Sequence, residues 1–177
     1  MQTRRHIFLI GFMGSGKTRW GQLLADQLDL PFLDLDEYVQ TITGKSITDL
    51  FNLGGEKSFR LVESDALRHL GAMPDTVVAT GGGTPCFFDN MNWMNENGTT
   101  VFLQTPPALI LERLWPERAG RPLLAGLNET EFAEFIHKKL EERLPFYLQS
   151  SIVIEQPDNH TDLLKKMAPH LSVERRI

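Results

Sequence analysis

The chain has 177 residues, 41% apolar and 23% charged, with 18 Lys and Arg against 23 Asp and Glu and a net charge of −5. That balance excludes a protein that coats nucleic acid or an anionic membrane surface, but not a small phosphorylated ligand, which needs only local positive charge. The length suits one domain over 1–177, and the one cysteine, Cys86, excludes an internal disulfide framework and fits a reducing cytoplasm.

In chain order, residues 6–12 read as a buried-type strand. The apolar run 7–10 is too short to cross a membrane, and the glycines and Lys17 that follow leave no signal-peptide core. Residues 18–28 read as a helix, with Leu23, Leu24 and Leu28 at helical spacing. A second strand is expected at 31–35, short helices at 37–43 and 47–53, and a longer helix at 56–70. A third strand at 76–79 leads into Gly81, Gly82 and Gly83. The pattern then gives a helix at 88–97, a strand at 99–104 and a helix at 107–114, which Pro106 and Pro107 open. A long helix is expected at 129–148, with Phe132, Phe135, Ile136 and Leu140 on one face and Pro145 placed to disturb its end. A fifth strand at 151–155 and a helix at 161–171 close the pattern.

Apolar strands separated by helices predict a parallel sheet covered on both faces, a three-layer α/β/α fold. Residues 115–127 fit neither period and carry Pro116, Arg118, Gly120, Arg121, Pro122 and Gly126. An irregular stretch of that length inside a domain is expected to be a lid or binding loop, the alternative being a plain surface connection.

Residues 11–18, GFMGSGKT, match G-x-x-x-x-G-K-[ST] without a mismatch, between an expected strand and an expected helix. Glycines let successive N–H groups turn inward onto phosphate oxygens, and the helix start adds its positive dipole end. Lys17 would reach the β- and γ-phosphates, and Thr18 would offer its hydroxyl to Mg²⁺. The motif therefore predicts binding of a nucleoside triphosphate with Mg²⁺.

That motif is shared by motors, GTPases, ATPases and small-molecule kinases. The chain has no Asn-Lys-x-Asp guanine motif, and the strand before Gly81 ends in glycines rather than aspartate. A small-molecule kinase is favoured over a slowly hydrolysing nucleotide switch. Asp34 and Asp36 follow the second strand. Read as an extended segment, the two carboxylates can serve different partners, one a metal's water shell and one an acceptor hydroxyl; helix capping by Asp36 is the plainer alternative. Arg60 could be a solvated helix residue paired with Glu56 four positions earlier, and Arg143 a favourable charge near a helix C-terminus.

Taken together, Gly11–Thr18, Asp34 and Asp36, Gly44 to Ile47 with Phe51, Gly55 to Glu63, Thr80 to Gly83, Arg121 to Leu124, and Arg143 to Tyr147 form an ordered set that resembles the shikimate kinases. These are small members of the nucleoside monophosphate kinase-like P-loop group. The resemblance implies a five-stranded parallel sheet, a mobile lid at about 115–127 and a substrate-binding helical segment at about 36–63. It implies ATP-dependent phosphorylation of the 3-hydroxyl of shikimate, on the path to chorismate and the aromatic amino acids. Asp36 would hold the acceptor hydroxyl and act as base, and Arg60 and Arg143 would clamp the shikimate carboxylate. Gly81, Gly82 and Gly83 would lie against the ring. Gly14, Ser15, Gly16, Lys17 and Thr18 would hold ATP, with Arg121 swinging in from the lid and Arg113 and Pro157 sandwiching adenine. Thr18 would bind Mg²⁺ directly and Asp34 through water. A cytoplasmic monomer with no nucleic-acid or membrane partner is expected. Gln40, Arg19, Trp20, Trp115, Pro116 and Arg118 depart from the family's usual pattern. They bear on packing and lid motion more than on chemistry, and another kinase of this fold, for gluconate or a nucleoside monophosphate, is the alternative.

Overall fold

All five residues of strand β1 (His6–Ile10) are buried, and they divide between two cores by the alternation of side chains along a strand. Phe8 and Ile10 face one cluster, and Ile7 and Leu9 face the other. The computed structural model describes residues 6–121, 123–155, 162–163 and 165–167. Within them β1 is the centre of a five-stranded sheet of order β2-β3-β1-β4-β5, formed with β2 (Phe32–Asp34), β3 (Val77–Ala79), β4 (Gly98–Gln104) and β5 (Ile152–Glu155). Every pairing is parallel. Val78 and Phe102 join the face of Phe8; Val77, Val101 and Leu103 join that of Ile7.

Helix α1 (Lys17–Leu28) covers the Ile7 face with Trp20, Leu24 and Ala25, joined by Leu163 and Met167. The other face is covered by α2 (Leu35–Thr43), α3 (Ile47–His69), α4 (Asn90–Asn97), α5 (Pro107–Leu114) and α6 (Glu129–Tyr147). The expected three-layer α/β/α arrangement is present. The break expected between 53 and 56 is a kink at Gly55 (φ 70°) within α3, a conformation glycine adopts without a Cβ penalty. The helix expected from 88 starts at Asn90, because Phe88 is left-handed (φ 50°). Pro145 does not stop α6, which runs two residues further; its missing N–H falls in the last turn. Of the last expected helix, only 162, 163 and 165–167 are described, and they are helical.

One expectation fails locally. The chain does not stay extended through Asp36: β2 ends at Asp34, and α2 begins at Leu35. Asp34, not Asp36, is the N-cap, its Oδ1 accepting from the Asp36 N–H at 3.0 Å. A short carboxylate just before a helix satisfies an otherwise unpaired N–H, and this local bond outweighs continuation of the strand. Because β1 has β3 on one side and β4 on the other, the strand order reverses there. The carboxyl ends of β1, β2 and β3 then open onto one crevice.

Candidate active site

The turn after β1 is built on left-handed glycines: Gly14 at φ 76° and Gly16, the cap of α1, at φ 89°. A side chain is strained at either position. The cleft above this turn, about 500 Å³, is lined by Gly14, Gly16, Lys17, Thr18, Arg113, Asp34 and Asp36 among others. The Lys17 ammonium donates to the carbonyls of Gly11 (2.9 Å) and Phe12 (2.8 Å). Burial lowers its pKa to about 8, although Asp36 and Asp34 pull the other way. The Thr18 hydroxyl donates to Asp34 Oδ2 at 2.8 Å. Ser15 does not line the cleft: its side chain is fully buried and its hydroxyl has no hydrogen-bond partner. Arg113 reaches the loop by donating to the Gly14 carbonyl at 2.9 Å. Pro157 lies outside the described residues.

A second cavity of about 240 Å³ adjoins the first. Met13, Asp36, Gly81, Gly82 and Arg121 line both, so Asp36 and Arg121 stand at the boundary. The second cavity is lined by the apolar side chains of Ile47, Phe51, Phe59 and Leu123, together with Gly83, Arg60, Glu63 and Arg143.

Arg60 is not on a solvated helix face. It is 5% exposed, and besides Glu56 (3.2 Å) it pairs with Glu63 (2.9 Å), which is fully buried. Burial works against its charge, but Glu63 and Glu56 more than offset this and hold its pKa above the usual arginine value. Glu63 also accepts from the Thr84 hydroxyl at 2.6 Å. The Asn90 amide holds the Thr84 carbonyl at 2.9 Å, so a buried polar chain fixes the guanidinium. Arg143 is 6% exposed, sits over the Phe12 ring, and keeps one buried terminal nitrogen, Nη1, without a partner. A buried, unpaired guanidinium nitrogen is costly and suits an anionic ligand.

The glycine triplet is required by crowding. None of the three has a positive φ. A Cβ on Gly81 would lie 2.6 Å from Glu63 Oε1 and 3.2 Å from Asp36 Oδ1, and one on Gly83 would overlap the Arg60 guanidinium. Side chains, rather than a ligand alone, need that space. The Tyr147 hydroxyl anchors the turn by donating to the Gly82 carbonyl at 2.6 Å. Asp36 thus sits near Glu63 and Asp34. Burial first, then these two carboxylates, raise its pKa to about 6, against the opposing pull of Lys17 and Arg60.

Known proteins resemble this chain over most of its length. A family model described as shikimate kinase matches residues 13–171. The chain belongs to the shikimate kinase family. A shikimate kinase of Bacteroides fragilis is 46% identical over 147 residues, covering 83% of this chain and 82% of its own. A solved shikimate kinase from Bacteroides thetaiotaomicron superimposes with a TM-score of 0.85 at 36% identity, covering 96% of this chain and 97% of the other. The shikimate kinase from Acinetobacter baumannii, solved in complex with shikimate, also gives 0.85, at 32% identity, covering 99% and 97%.

Sequence reasoning gave no role to four residues that shape the site: Glu63 and Tyr147, which lie within the motif segments, and Thr84 and Glu117. Glu63 left a signal, since it lies one helical turn after Arg60 and a buried arginine needs a counter-charge. Tyr147 and Thr84 act across 65 and 21 residues, and only the fold brings them to their partners. Glu117 lines the nucleotide-side cleft and holds Arg121 at 2.7 Å. Among the described residues there is no cluster of three or more His, Cys, Asp or Glu that could hold a metal, and no helix long and apolar enough to cross a membrane.

Proposed function

We propose that this chain catalyses ATP-dependent phosphorylation of the 3-hydroxyl of shikimate. The observation that carries the reading is the shared wall of the two cavities. One offers a phosphate-binding turn and the other two buried arginines, with Asp36 and Arg121 between them. Family membership and the shikimate bound to the Acinetobacter relative support the choice of acceptor. A carboxylated cyclic polyol uses Arg60, Arg143 and Asp36 at once, whereas a nucleotide acceptor would want a base pocket.

ATP seats its β- and γ-phosphates in the turn of Gly14, Ser15, Gly16, Lys17 and Thr18, with Ser15 contributing backbone only. The Lys17 ammonium exchanges the Gly11 and Phe12 carbonyls for phosphate oxygens, which further favours the charged form against the effect of burial. Arg113 and Pro157 flank the adenine. Arg60 and Arg143 bind the shikimate carboxylate as a fork onto a planar anion, and Gly81, Gly82 and Gly83 let the ring approach. Asp36 accepts the 3-hydroxyl proton, its pKa of about 6 suiting a base at neutral pH. Residues 115–127 close as a lid, bringing Arg121 to the transferred group. Residues 36–63 supply the acceptor side.

Thr18 and Asp34 fit Mg²⁺: they are hard oxygen donors already in contact, and such an ion is held by few protein groups plus phosphates and water. When bound it neutralises charge on the β- and γ-phosphates. The working unit proposed is a monomer. Coupled ADP release with shikimate, gluconate or AMP as acceptor tests the reading. Turnover should need shikimate, and turnover with AMP or gluconate alone would overturn it.

A further inference from the structure

Among the described residues, the lining of the nucleotide-side cleft holds one more carboxylate besides Asp34 and Asp36, that of Glu117. A fixed negative charge beside a triphosphate site opposes the ligand, so its placement needs a reason. Its partner is Arg121, four residues on, whose Nη2 donates to Glu117 Oε2 at 2.7 Å. The two side chains are 61% and 37% exposed, so the pair is weak enough to exchange for another anion. The Arg121 Nε is buried and has no partner, so Glu117 satisfies only part of the guanidinium.

Arg118 cannot take the same part. Its guanidinium stacks 3.7 Å over the Trp115 ring centroid and donates to the Trp115 carbonyl, and Trp115 packs edge-on against Phe132 of α6. The base of the segment is therefore fastened, while Arg121 stands at the boundary of both cavities on a single exposed pair.

We infer that Glu117 is the resting partner of Arg121, a positioning residue that competes with nucleotide phosphate for the same guanidinium. Before ATP arrives, Glu117 holds Arg121 beside the cleft. Phosphate displaces the carboxylate when the segment closes, and the carboxylate reclaims the arginine as ADP leaves. Glu117 thereby weakens nucleotide binding and speeds ADP departure. The inference rests on the reading that Arg121 acts on the phosphates.

The test is Glu117→Gln in the full chain, with ADP and ATP dissociation constants measured by calorimetry and ADP release by stopped flow, in the presence of Mg²⁺. Both nucleotides should bind about two- to fivefold tighter, with ADP release slowed to match and shikimate affinity unchanged. The gain should be clearly smaller in an Arg121→Ala background, where only direct repulsion between Glu117 and the phosphates remains. Unchanged or weaker nucleotide binding in Glu117→Gln overturns the inference. So does an equal gain in the Arg121→Ala background, which would make Glu117 a plain repulsive charge. If Arg121→Ala alone turns over like the wild type, the underlying reading of Arg121 falls as well. If Arg121→Ala loses turnover while Glu117→Gln matches the wild type, only the resting contact is wrong.

Discussion

Replacing Gly83 with alanine isolates the shape of the acceptor cavity from its chemistry. Gly83 has φ −93° and ψ −15°, which alanine adopts without strain, so no backbone penalty arises. By its effect on the unfolded chain the change would stabilise by about 0.4–1 kcal/mol. The new methyl group, however, overlaps the Arg60 guanidinium. Arg60 has little freedom to yield, because Glu63 and Glu56 hold two of its nitrogens at 2.9 and 3.2 Å. Displacing it misaligns the guanidinium and loses a charge-assisted hydrogen bond to the shikimate carboxylate, worth about 1.5–3 kcal/mol. That corresponds to a rise of roughly 10- to 150-fold in the KM for shikimate. The KM for ATP should stay near the wild-type value. Steady-state kinetics with each substrate varied reads the split, and thermal unfolding establishes that the variant is folded. Gly71→Ala is the control, since its methyl would meet only Trp93 at an ordinary 3.6 Å. A folded Gly83→Ala enzyme with shikimate KM within twofold of wild type would refute the proposed role of Arg60 and the fit of the triplet.

Further outcomes follow from the same geometry. Asp36→Asn should lose most of kcat, and the wild-type kcat/KM should rise with pH through an apparent pKa near 6, a limb absent from the variant's residual rate. Because folding raises the Asp36 pKa from 3.8 to about 6, the folded chain binds more protons in that window, and its contribution to stability is lost as pH rises through 6. Asp36→Asn should therefore raise the Tm by a few degrees at pH 7.5 but not at pH 4, by differential scanning fluorimetry. Lys17 has the opposite sign: its pKa is depressed from 10.5 to about 8, so its contribution is full above 10.5 and is lost as pH falls through 8. Lys17→Met should abolish turnover yet raise the Tm at pH 7. Arg143→Lys keeps the charge and loses the fork; shikimate KM should rise about tenfold or more with kcat changed less, as measured by initial rates.

Much of this site is legible in local sequence. The run from Gly11 to Thr18 announces its own turn, because left-handed glycines, a lysine and a hydroxyl lie within eight residues of a strand. Apolar strand runs give the sheet, and alternation assigns Phe8 and Leu9 to opposite faces. What stays hidden depends on burial and on distance along the chain. Arg60 looks like a surface residue paired with Glu56 until α3 is packed on the sheet and Glu63 becomes its main partner. Asp34 and Asp36 read as one extended segment, but a capping bond turns the chain into a helix between them. The triplet Gly81 to Gly83 marks a tight place without saying what crowds it; Glu63, Asp36 and Arg60 arrive from other elements. Ser15 belongs to the motif by position, yet its side chain faces the interior.

The measurement that bears most directly on the central claim is the structure of the product. The chain is incubated with ATP, Mg²⁺ and shikimate, and the product is followed by phosphorus and proton NMR. The account predicts one phosphate ester per ATP consumed, its phosphorus coupled to the proton on carbon 3 of shikimate. ATP consumed without an ester, or an ester on another oxygen, would contradict it.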